Sequence, residues 1–178
     1  MCRDLVVTVR MLLSVFAVFG ASVMFAPANA LSHEEWVMAF VRFVEWPAPS
    51  VGAENTLVIC QPTAVPALDL HGKQVRGVTL HVIRLASPGD VDRCHIFSAL
   101  AQREADWAPW LSALKAKPIL AVGHGAHYCE LGGSICLIMD EKKGVEKYQL
   151  NLDRLSRTGF KVRSQLLRQQ RQRAANKG

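Results

Sequence analysis

Four cysteines and a pair of histidines are the residues whose types and spacing could do chemistry. In "YCELGGSIC", Tyr128 to Cys136, two cysteines stand seven positions apart around Gly132-Gly133, with His124 and His127 just upstream in "GHGAHYC". A metal site would take His124, His127, Cys129 and Cys136 as a mixed nitrogen and sulfur ligand set. A thiol catalyst of the thioredoxin kind needs C-x-x-C at a helix start, where the helix dipole lowers one thiol pKa, and the spacing here is C-x6-C. A disulfide needs only an oxidising compartment. His71, His81 and His95 are scattered, with no spacing that predicts a shared ligand set. The chain has no G-x-S-x-G, P-loop, G-x-G-x-x-G or H-E-x-x-H, and "GKQVRG" at Gly72 to Gly77 lacks the spacing that cradles a phosphate. The expectation is a protein without catalytic residues, cofactor or metal.

The compartment is read from the N-terminus. Residues 1–30 have a basic start, an apolar run from Met11 to Phe25, and the small-residue end Ala28-Asn29-Ala30. This is the pattern of a secretory signal peptide cleaved after Ala30. The run is about 15 residues long, against the roughly 20 of a membrane-spanning helix. Cleavage would leave about 148 residues, 31–178, which suits one domain with a sizeable core. Export to a bacterial periplasm is the expected fate, and it weakens the free-thiolate readings. The net charge of +6 is concentrated at the end of the chain, where Arg154 to Gly178 hold eight Lys/Arg and no acid. Such a segment suits an acidic partner or anionic lipid, and export makes nucleic acid the weakest candidate.

The elements that must position these residues follow from periodicity. Ser32 and Glu35 form an S-x-x-E capping box before a helix carrying Trp36, Val37, Phe40, Val41 and Val44, which Pro47 ends. "TLVIC", "VTLHVIRL", "CHIFS" and "PILAV" read as short buried strands, and "AVPALDLHG" as a brief helix or turn. "EADWAPWLSALKAK" is a helix with Pro109 near its start, where a missing N–H is tolerated. "SICLIM" and "VEKYQL" read as a hairpin around "DEKKG". Asn151 caps "LDRLSRT", Gly159 ends it, and a basic helix "RSQLLRQQRQRAA" follows. The sum is a single compact α/β domain, a mixed sheet of about six strands flanked by four or five helices.

Four cysteines allow three disulfide pairings. Cys60 and Cys94 each border an apolar strand, and the segment between Cys129 and Cys136 is short enough to fold back at Gly132-Gly133. These considerations pair Cys60 with Cys94 and Cys129 with Cys136. In the chain-entropy account a closed loop of about 35 residues contributes roughly 4 kcal/mol and one of about 8 residues roughly 2.5 kcal/mol. The short bridge is therefore better suited to fixing a local surface.

Several segments together resemble one family: "AFVRFVEWP", "LVICQP", "LHGKQVRGVTLHVIRL", "RCHIF", "PILAVG", "GGSICLIM" and above all "NLDRLSRTGFKVRSQLLRQQR". In order and spacing, from about Glu35 to Arg171, they resemble the YfiR family of bacterial periplasmic proteins. The resemblance implies a compact α/β domain without catalytic activity. Such a domain represses an inner-membrane diguanylate cyclase by binding its periplasmic part, lowering cyclic di-GMP signalling and biofilm formation. It also implies the same two disulfides, the second tied to correct folding and function, which makes redox state an input. An outer-membrane lipoprotein is a further partner in the family theme, and a homodimer is left open. The sequence departs from the family at "QPTAVPALDL", where a Gly/Asp-rich loop is usual, at "KYQLNL", and in the Arg/Gln-rich final helix.

Candidate partner contacts are Trp46 at the end of the first helix and Arg163, Arg168 and Arg171 on the last. The alternative is a periplasmic small-molecule binding module serving a neighbouring receptor or transporter.

Overall fold

A computed structural model describes residues 31–47, 55–140 and 144–165. The leader expected over 1–30 and most of the basic helix expected after Arg163 lie outside the described residues.

The capping box forms as the sequence requires. Ser32 Oγ accepts from the Glu35 N–H at 3.2 Å, and the Glu35 carboxylate accepts from the Ser32 N–H at 2.7 Å. The helix it starts, α1, spans His33–Phe43. Two strands, β1 (Val44–Glu45) and β9 (Lys161–Val162), make a small antiparallel ribbon at its end. The main sheet has seven strands: β2 (Thr56–Pro62), β3 (Gln74–Val75), β4 (Val78–Leu85), β5 (Ile96–Ser98), β6 (Leu120–His124), β7 (Ile135–Asp140) and β8 (Gly144–Leu150). Their order is β3-β4-β2-β5-β6-β7-β8; the five inner strands are parallel, and β3 and β8 are antiparallel edges. The other helices are α2 (Trp107–Leu114), α3 (Ala126–Glu130) and α4 (Leu152–Arg157).

Because both faces of the central strands are covered, β2, β5, β6 and β7 are nearly continuous apolar runs, while β4 leaves His81 and Arg84 exposed. Leu57, Ile59, Leu80, Ile96, Leu120, Val122, Ile135 and Leu137 face a core made with Trp36, Val37, Phe40 and Val41 of α1, and with Leu155 and Phe160. The alternate residues Cys60, Phe97, Ala121 and Cys136 face the opposite core, made with Trp107, Trp110, Leu111 and Leu114 of α2 and with Tyr128 and Cys129 of α3. Both disulfides therefore belong to one face. Fully burying one such large apolar side chain contributes about 1.5–3 kcal/mol, and that burial holds α1 and α2 on the sheet.

Two details depart from the sequence expectation, and one ambiguity is resolved. The strands β1, β3 and β9 are two residues each, too short to show a period. Of the two readings of "AVPALDLHG", brief helix or turn, the structure has the turns; the Gln61 side chain holds them by accepting from the Leu68 N–H at 2.8 Å. The region around His127, for which periodicity predicts no element, is the short helix α3.

Candidate functional site

The two disulfides anchor different parts of one face. Cys60 of β2 is bonded to Cys94, which follows a 3₁₀ turn at Pro88–Arg93; their Cα atoms are 5.6 Å apart. Beside them Phe97 and Trp110 stack with ring centroids 5.0 Å apart. Cys129 of α3 is bonded to Cys136 of β7, with Cα atoms 5.9 Å apart.

Around this second bridge the chain is held residue by residue. The Gly133 N–H donates to Tyr128 O at 2.8 Å, and the Gly132 N–H, at φ +108°, donates to Cys129 O at 3.1 Å. The Tyr128 ring is fully buried against Gly123 and Gly133, and a Cβ built at Gly123 would lie 2.6 Å from it. Asn151 joins the bridge to α4 in three ways. Its backbone N–H donates to Ser134 O at 3.0 Å, its Nδ2 to Cys129 O at 3.0 Å, and its Oδ1 accepts from the Arg154 N–H at 3.0 Å. Arg154, counted in the sequence with the basic end of the chain, is 4 % exposed. Its two terminal nitrogens donate to Leu114 O and Lys115 O, each at 2.6 Å, at the C-terminal end of α2. A cation suits that end of a helix.

The histidines are sorted by the fold. His124 ends β6 with its ring 5.1 Å from Trp107, and its Nδ1 is buried without a hydrogen-bond partner. Burial lowers its pKa, His33 lowers it further, and the Leu100 carbonyl and Glu104 oppose them. His127 is exposed and paired through Nδ1 with Glu130 at 3.1 Å and through Nε2 with Glu104 at 3.6 Å. Because Cys129 and Cys136 are bonded to each other, neither sulfur is a free thiolate for a metal. Among the described residues, no group of three or more His, Cys, Asp or Glu is placed to hold a metal ion. His95 Nδ1 accepts from the Val58 N–H at 2.9 Å. His71 and His81, which the sequence left unrelated, have ring centroids 4.5 Å apart.

Of the expected partner contacts, the structure brings two together. Trp46 is half-buried against Phe160 with centroids 5.3 Å apart, and Arg163 donates its backbone N–H to Phe43 O at 3.0 Å. Arg163 Nε lies 3.5 Å from Glu45 Oε1, so Trp46 and Arg163 flank the β1–β9 ribbon. Arg168 and Arg171 lie outside the described residues. Reading the sequence missed Tyr128 and Arg154 as organising residues. The only signal for Tyr128 was the Gly-Gly pair after it.

A cleft of about 650 Å3 opens where β2, β4 and β5 end, lined by Pro62, Val65, Leu85, Gln102, Asp106 and Trp110 among others. Strand β2 connects outward to β4 on one side, and β5 lies on its other side. The cleft thus sits at the carboxyl-edge reversal of strand order where open α/β sheets place ligands. Gln102 Oε1 is buried there without a partner.

With this geometry in place, the sequence match is informative. Residues 32–169 match the YfiR/HmsC-like family. The chain belongs to that family. The match runs from the N-cap of α1 past β9, so it takes in both disulfides, the cleft and the ribbon. No curated protein matches the sequence. The YfiR/HmsC-like family is one of periplasmic regulators of diguanylate cyclase activity. Two disulfides fit an oxidising compartment. No helix among the described residues is long and apolar enough to cross a membrane.

Proposed function

We propose that this chain is a non-enzymatic periplasmic repressor, exported by residues 1–30, that binds the periplasmic part of an inner-membrane diguanylate cyclase. By binding, it lowers cyclic di-GMP and biofilm formation. The observation that carries the reading is the YfiR/HmsC-like match over residues 32–169. A regulator that prefers the inactive cyclase shifts its equilibrium by the difference in affinity for the two states. The contact residues are Trp46 and Arg163 beside the β1–β9 ribbon, together with Arg168 and Arg171 further along the chain. An outer-membrane lipoprotein that captures the repressor would relieve it, and a homodimer is compatible with the exposed ribbon.

The redox input is assigned to Cys129–Cys136, because that bridge fixes the surface formed by α3, β7 and α4. The test is co-purification of the exported protein with the cyclase, together with cellular cyclic di-GMP. Deleting the gene should raise cyclic di-GMP, and W46A/R163E should lose the cyclase. C129S/C136S should lose repression while the protein is still exported. Unchanged cyclic di-GMP with the cyclase expressed would sink the reading.

A second reading, a small-molecule binding module serving a neighbouring receptor or transporter, is favoured by the cleft at the strand-order reversal.

A further inference from the structure

His71 and His81 are ten positions apart, and nothing in their spacing relates them. The fold places them side by side by backbone hydrogen bonding. The Gly72 N–H donates to Leu80 O at 2.8 Å, and the Leu80 N–H donates to Lys73 O at 2.9 Å. The turn that carries His71 is thereby clamped to the β4 residue that precedes His81. In β4, His81 lies opposite Val58 of β2, which fixes its position in the sheet. Both histidines are exposed, and their rings meet at 4.5 Å between centroids and 76° between planes.

Two imidazoles that share a metal ion can have this separation, which is also that of an edge-to-face ring pair. An imidazole nitrogen binds a first-row divalent ion at about 2.0–2.1 Å. The ring centroid lies about 1.1 Å behind the nitrogen, so two rings on one ion have centroids about 4.5 Å apart at a right angle and about 5.2 Å apart at the tetrahedral angle. The observed distance matches the right-angle case. Right-angle nitrogen ligation is the preference of tetragonal ions, and among divalent first-row ions copper binds nitrogen sites most strongly.

We propose that His71 and His81 form a surface site for Cu2+, one imidazole nitrogen from each occupying adjacent equatorial positions and water completing the shell. Exposure gives the ion an open path, and the backbone clamp holds the two ligands near their bound separation. The site is independent of the regulatory reading, since it involves neither the ribbon nor the disulfides.

The experiment is titration of the exported protein with Cu2+ against glycine as a weak competitor, with electron paramagnetic resonance of the one-equivalent complex. Every protein carries H33A, because an α-amine freed at residue 31 would chelate copper with His33 on its own. Joining two ligands raises affinity by about 10²-fold or more through effective concentration. The expected result is one equivalent bound, with two equatorial imidazole nitrogens in its spectrum. H71A and H81A should each weaken that binding by about 10²-fold and leave one nitrogen. H127A should bind as the parent does, and far-UV circular dichroism should show all variants folded. If H81A fails to fold, H71A in the exposed turn decides the matter. Binding unchanged in H71A, lost in H127A, or of single-imidazole strength in the parent would overturn the proposal.

Discussion

The Tyr128 ring occupies the space that a side chain on Gly133 would need: a Cβ there would lie 2.2 Å from Tyr128 Cδ1 and 2.8 Å from Tyr128 O. The ring and the backbone carbonyl are both fixed, the first by burial and the second by the Gly133 N–H it accepts at 2.8 Å. G133A should therefore destabilise the protein by about 3 kcal/mol through overpacking. In a domain of this size that corresponds to a fall of about 10 °C in Tm. By contrast, a Cβ at Gly132 would meet nothing within 4 Å, and its cost comes only from φ +108°. G132A should cost about 1 kcal/mol. Thermal unfolding of G133A, Y128A and the double variant checks the cause. The two substitutions should cost less together than their sum, because the smaller side chain removes the clash.

Arg154 ties α4 to the end of α2 through two carbonyls at 2.6 Å. Hydrogen bonds from a charged group contribute about 1.5–3 kcal/mol each, and removing the donor leaves buried carbonyls unpaired. R154M should lower stability in urea by about 3 kcal/mol. Lysine keeps the charge but not the planar fork that reaches two acceptors at once. R154K should recover less than half of the loss, and a lysine variant as stable as the parent would show that charge alone matters.

Burial of His124 beside Trp107 favours its neutral form, placing its folded pKa below the ordinary value of 6.5, with His33 adding to the effect against the Leu100 carbonyl and Glu104. In the window between the folded and unfolded values the unfolded chain binds more protons, so stability rises with pH there. The contribution is complete above the unfolded value and is lost as pH falls through the folded one. Between about pH 7.5 and about pH 5, Tm should fall more steeply in the parent than in H124Q. Parallel curves would remove His124 from the pH response.

Much of the architecture was legible in the residues. Ser32 and Glu35 mark the start of α1 because a capping box satisfies backbone N–H groups locally. The strands β2, β5, β6 and β7 show as apolar runs because strands covered on both faces need no polar side, whereas β4 alternates and leaves His81 and Arg84 exposed. Helix α3 did not show. Its five residues lie between Gly125 and Gly132-Gly133, too short for a helical period, and it is held by the burial of Tyr128. Arg154 was read with the basic end of the chain because composition carries no information about a carbonyl 39 positions away.

The sequence by itself determined the class of fold, the position of most elements and the family, because these depend on periodicity, local capping and the order of motifs along the chain. Only the tertiary structure decided which histidines meet, that Tyr128 rests on Gly133, and that Trp46 and Arg163 flank one ribbon. Those relationships are set by strand order and by turns that bring distant residues to one place. A local pattern cannot encode a distance between residues whose neighbourhood exists only after the sheet has formed.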